Sequence, residues 1–153
     1  MSAKDDRRWE CRTWFSRAWA KDDELKSYEQ RKDEIISQLS GIGKYDSEFV
    51  PAQTGENSVE TKNIEYSQLC QKIENLIREI SVMNSRTLEV MSQIRDVKVR
   101  TMLYDRYINR MSWSQIGNKY HYAQRQPYRY IERGLDEARR FITDEEIKEA
   151  CYE

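Results

Sequence analysis

Glycine and proline are scarce in this chain, five and two of 153 residues. That is too little punctuation for the many turns of an all-β fold or for a low-complexity chain. Histidine occurs once, at His121, which leaves little material for imidazole catalysis or a zinc site. The three cysteines, Cys11, Cys70 and Cys151, are odd in number, scattered, and without C-x-x-C or Cys/His spacing. They exclude a disulfide framework and fit a reducing cytoplasm. No apolar run reaches the ~20 residues that cross a bilayer, and the charged opening lacks the core of a secretion signal. A cytoplasmic protein with no membrane partner is expected. A glycine-rich phosphate loop is also missing, GIG at 41–43 being too short a signal. The abundant carboxylates fall four residues from Lys or Arg on helix surfaces, where solvation and weak pairing account for them. No catalytic residue, metal ligand or cofactor is expected, and the chain reads as non-enzymatic.

Charge is plentiful but unevenly placed. The net charge is −1, yet residues 98–142 hold ten Lys/Arg against four acids, residues 1–97 fifteen against eighteen, and the end after Ile142 one against five. A basic segment between acidic ones bears on partners in a way the total conceals.

Helical periodicity dominates. From Lys62 to Ile94, Tyr66, Leu69, Ile73, Leu76, Ile80, Met83, Thr87, Val90 and Ile94 recur at spacings of three and four, a seam that must be covered. Residues 1–40 carry a poorer stripe through Leu25, Tyr28, Ile35 and Leu39, with Trp9, Trp14, Phe15 and Trp19 upstream. Residues 41–61 include Gly41, Gly43, Pro51 and Gly55 and read as a linker. The expected architecture is all-α. A helix over 1–40 and a long helix over 62–95 form either an antiparallel hairpin or the coiled coil of a homodimer. A compact unit over 96–142 and an acidic tail over 143–153 follow. Thr143 and Glu146 have capping-box spacing in that tail, though a solvated terminus is the expectation.

Within 96–142 the signals are more specific. Asp96 can cap a helix whose Val99, Leu103 and Tyr107 face one way. Ser112 and Gln115 form an S-x-x-Q capping box, so a helix starts at Trp113 and runs to about Tyr120. Gly117 inside it costs on the order of 1 kcal/mol relative to alanine, which calls for a packing reason. A turn falls at His121, Tyr122 and Ala123. Pro127 suits a first turn, so the next helix begins between Gln124 and Gln126. Tyr128, Ile131, Leu135, Ala138 and Ile142 then point inward and leave a basic, amide-bearing face outside.

This is the pattern of a helix-turn-helix, and its second helix suits a major groove. Arginine can bond bidentately to guanine, glutamine to adenine, and flanking cations can neutralise phosphates. The candidate DNA-binding residues are Lys119, Gln124, Arg125, Gln126, Arg129, Tyr130 and Arg133. Lys119 is expected among the phosphate contacts, with Gln126 and Arg129 among the base readers.

The run RYINRMSWSQIGNKYHYAQRQPYRYIERGL resembles region 4 of bacterial sigma factors. It is more closely similar to phage-encoded transcriptional regulators of the ArpU and RinA kind, which pair an N-terminal helical segment with a sigma-region-4-like helix-turn-helix. MSAKD and VRTMLYDRYINRMSW look like the same group. The resemblance implies an activator of phage or prophage genes, often late ones, that binds promoter DNA. It implies double-stranded DNA as partner, with host RNA polymerase and a second copy of the chain as further candidates. Ala123 stands where the family commonly has a capping serine, Pro127 where it has an aliphatic residue, and Gly117 and Gly134 where it has alanine. The alternative function is a DNA-binding assembly protein such as a small phage packaging subunit. Such subunits commonly place the DNA-binding part first, the reverse of the order here.

Overall fold

The computed structural model describes the backbone of residues 2–42, 56–123 and 125–153. Among these residues the architecture is all-α, with no strand. The chain divides into two units, one spanning Trp19–Ser81 and the other built from the chain up to Ala18 and from Val82 onward.

In the first unit, α2 (Trp19–Ile42) and α3 (Glu56–Ser92, up to Ser81) run antiparallel. Arg31 donates to both carboxylate oxygens of Glu65 at 2.8 and 3.2 Å. Lys21 meets Glu79 at 2.9 Å, and the Lys72 ammonium lies over the Tyr28 ring. Ile35, Leu69, Ile73 and Leu76 are buried between such pairs. The stripes expected to cover each other thus do so within one chain, as a hairpin. Both helices exceed their expected bounds, since residues 41–42 and 56–61 are helical. The rest of the anticipated linker, 43–55, lies outside the described residues.

The second unit corrects the expectation of a single helix over residues 1–40. Helix α1 (Ala3–Phe15) is capped by Ser2 and ends at Ser16, whose hydroxyl donates to the Arg12 carbonyl at 2.9 Å. The break has a physical cause in Arg17. Its guanidinium stacks on the Trp14 ring at 3.9 Å and donates to the carbonyls of Trp14 and Met83 and to the Thr87 hydroxyl. Burial pushes this arginine down to about 10, so its three acceptors are what keep the charge tolerable.

Helix α4 (Val97–Leu103) starts at the Asp96 cap and passes into a wide π-turn over Tyr104–Ile108. Helices α5 (Trp113–Tyr120) and α6 (Arg125–Ala138) follow, then a 3-10 turn at Arg139–Phe141 and α7 (Asp144–Tyr152). Met102, Leu103, Ile116, Ile131, Leu135 and Ala138 are fully buried, and Phe15 meets the Tyr107 ring at 5.2 Å. The unit's core therefore recruits α1 as well as the C-terminal helices.

Within residues 143–153, Asp144–Tyr152 form a packed helix rather than a solvated tail. Thr143 and Glu146 make a full capping box, Ile147 is buried, and Cys151 donates to the Glu10 carbonyl at 3.5 Å. The Arg86 guanidinium bonds both oxygens of Glu146 at 2.9 Å and holds its carboxyl down to about 2. A depressed carboxylate contributes stability that is complete above its unfolded value, near 4.5, and is lost as pH falls through the folded one. Between about pH 5 and 2, Glu146→Gln should lose less stability than the native chain, by about 1 to 2 kcal/mol given the pair's partial solvation. Parallel denaturant titrations of the two proteins at several pH values would show an unchanged gap if the pair contributes nothing.

Candidate nucleic-acid interface

The site is set by α5, its turn and α6. Ser112 accepts from the Gln115 N–H at 3.2 Å, and Gln115 accepts from the Ser112 N–H at 2.8 Å, which fixes where α5 begins. At its other end His121 takes the left-handed conformation, φ 59°, and the Tyr122 N–H donates to the Gly117 carbonyl at 2.8 Å. A Cβ on Gly117 would stand 2.9 Å from the Tyr122 carbonyl oxygen. Room for the turn's own backbone is thus the packing reason behind this glycine.

Helix α6 starts at Arg125 and is held on two sides. Towards α4, a Cβ on Gly134 would lie 2.5 Å from Val99 Cγ1, so the two helices are in close contact. Towards α1, Arg8 bonds Asp136 through Nε and Nη2 at 3.1 and 2.9 Å. Arg12 bonds Glu132 at 3.1 Å, and Cys11 donates to the Leu135 carbonyl at 3.3 Å. Glu132 is buried there and shared by two arginines. Burial also pushes the Cys11 thiol up to about 12, which keeps it protonated as a donor.

Ile131, Leu135, Ala138 and Ile142 point inward as expected, but Tyr128 does not. It is 42% exposed, with its ring edge on Trp113 at 5.3 Å and its hydroxyl accepting from Arg12. Pro127 takes the buried place in that first turn. A tyrosine can serve this boundary because its ring covers apolar surface while its hydroxyl stays wet.

Arg125, Gln126, Arg129 and Arg133 are all exposed on one side of α6. Among the described residues neither Arg125 nor Arg129 has an ion-pair partner, in contrast to Arg8, Arg12, Arg31, Arg86 and Arg139, each held by a carboxylate. Tyr130, half-buried, stacks on Tyr122 with ring centres 5.8 Å apart. The Lys98 ammonium lies over both rings, at 4.4 and 5.6 Å, and donates to the Tyr122 hydroxyl, while the Arg133 guanidinium covers the Tyr130 ring at 5.4 Å. Arg133 thus stands against an aromatic cluster and is itself exposed. Gln124 lies outside the described residues.

No protein-family model matches this chain, and neither a curated protein nor a solved structure does. The site's own geometry carries the reading.

Lys119 takes a different position from the one expected. Its ammonium bonds both oxygens of Asp105, at 3.0 and 2.9 Å, and Asp105 is only 2% exposed. The Tyr120 hydroxyl donates to the same carboxylate at 2.6 Å, and burial together with that bond pushes the phenol up. Lys119 is committed to an internal charge, so we remove it from the free phosphate contacts. Lys119→Ala should destabilise the fold by about 2 kcal/mol. That is below the 3 to 5 of a fully buried pair because the lysine is half-exposed. Thermal unfolding by circular dichroism should fall by about 4 to 8 °C for a chain of this size. An unchanged midpoint would remove the pair from the fold's supports.

Two residues absent from the sequence-based site belong beside it. Lys98 could not be placed from its spacing, because its partners Tyr122 and Tyr130 are far along the chain. Arg140, seven residues after Arg133 in the sequence, stands in the 3-10 turn just past the end of α6.

Proposed function

We propose that this protein is a sequence-specific DNA-binding transcriptional regulator that inserts α6 into the major groove and has no catalytic activity of its own. The observation that supports this most is the free basic face itself. Arg125, Gln126, Arg129 and Arg133 stand exposed on a helix fixed from two sides, and neither Arg125 nor Arg129 is engaged by a carboxylate among the described residues. Unspent guanidinium forks beside an amide suit base edges and phosphates, whereas a merely solvated helix surface has no need of one sign of charge. The resemblance to phage regulators adds the class of target, promoter DNA of phage or prophage genes, with activation as the direction.

The full chain, titrated onto a fluorescein-labelled generic duplex and followed by anisotropy, should bind with an affinity that falls steeply as salt rises. Affinity independent of salt, or no binding at low salt, would overturn the reading. The hairpin's exposed Ile36, Ile64 and Ile77 offer apolar surface to host RNA polymerase or to a second copy. An assembly role would require a ring of eight or more subunits in sedimentation, whereas a regulator sediments as a monomer or dimer.

A further inference from the structure

We infer that the cation-lined hollow between the start of α1 and the end of α6 is a second phosphate site, which grips the DNA backbone beside the groove that α6 enters. This rests on the function proposed above and extends its footprint to the N-terminal helix.

The hollow measures about 420 Å³ and is lined, among the described residues, by Lys4, Arg7, Arg139 and Arg140 against a single acid, Asp136. That acid is already engaged, since both of its oxygens accept from Arg8. Among the described residues Lys4, Arg7 and Arg140 have no ion-pair partner, and the Arg139 Nε is buried without an acceptor. Arg139 is itself anchored, donating to the Ile142 carbonyl and to Asp144 at 2.9 Å each, so it forms a fixed wall. With Arg139 paired to Asp144, three cations without a carboxylate partner among the described residues line one hollow, and their mutual repulsion calls for an anion.

The lining chooses the kind of anion. Among the described residues Ala3 and Leu135 are its only apolar ones, and no aromatic ring lines it on which a base could stack. A nucleotide would leave its base unrecognised, whereas a backbone phosphate needs nothing beyond charge and N–H donors. The hollow also continues the α6 face. Asp136 follows Arg129 by seven residues, two turns and about 10 Å further along the same side of α6, and Arg140 lies just past the helix end in the 3-10 turn. A duplex seated on Arg129 and Arg133 would run past it.

The test uses the full chain and the triple variant Lys4→Ala, Arg7→Ala, Arg140→Ala, with thermal unfolding as a control for folding. The variant should lose at least about tenfold in affinity on every duplex alike. Its plot of log affinity against log salt should be shallower by about two to three, and its ranking of duplex sequences should not change. If the native chain binds duplexes and the variant keeps the native slope, the second site falls and the proposed function stands. If the native chain shows no salt-dependent duplex binding, both fall. Inorganic phosphate and adenosine monophosphate are titrated in parallel. Micromolar binding of the nucleotide that the variant abolishes, with duplex affinity intact, would assign the hollow to a small ligand and overturn the inference.

Discussion

Arg125→Ala combined with Arg129→Ala is expected to lower affinity for a preferred duplex by about two orders of magnitude while leaving the fold intact. Each guanidinium that bonds a base or phosphate contributes about 1 to 3 kcal/mol, and each 1.4 kcal/mol is tenfold. Both side chains are exposed and make no ion pair among the described residues, so their loss removes no internal contact and thermal unfolding should not change. Arg129→Lys separates the two roles. A lysine keeps the charge but not the planar fork, so the salt dependence should persist while discrimination between sequences narrows. Near-native affinity of the double variant in a gel-shift titration would mean that another face meets DNA.

Gly134→Val should be the most damaging single substitution to folding, at about 3 kcal/mol. Even the first carbon of a side chain there would come within 2.5 Å of Val99 Cγ1 and 2.9 Å of Leu103 Cδ1, and both neighbours are buried. Overpacking of this kind typically costs about 1 to 3 kcal/mol, and valine adds two methyls to the clash. Gly134→Ala should cost less, because alanine recovers about 1 kcal/mol of helix propensity. Combining Gly134→Ala with Val99→Ala opens the space that the new methyl needs, so the pair should be less damaging than the two single effects added. Strict additivity in denaturant unfolding, or a native-like Gly134→Val, would show that α4 and α6 are not in contact there.

Local chemistry was readable from the chain, and distant partnership was not. The caps at Asp96, Ser112 and Thr143 sit where the sequence puts them because each is satisfied within three residues. The inward stripe from Ile131 to Ile142 is similarly a matter of period. Other features depend on residues far along the chain. The break after Phe15 follows from Arg17 meeting Met83 and Thr87. Glu132 is buried because Arg8 and Arg12 reach it. Lys119 turns inward to Asp105, which the π-turn carries inside. Tyr128 defeats a two-sided reading because it sits at the edge between faces. In the candidate site, exposure of Arg125, Gln126, Arg129 and Arg133 was legible as the complement of the apolar stripe. The aromatic cluster beside Arg133 was not, since Lys98 and Tyr122 join it only in three dimensions.

The central claim is that the outer side of α6 reads duplex sequence, and selection from a random duplex library by the full chain tests it most directly. The native protein should enrich one motif over successive rounds, and Gln126→Ala and Arg129→Ala should each relax it at a single base position. A native protein that enriches no motif, or a motif left unchanged by both substitutions, would contradict the account.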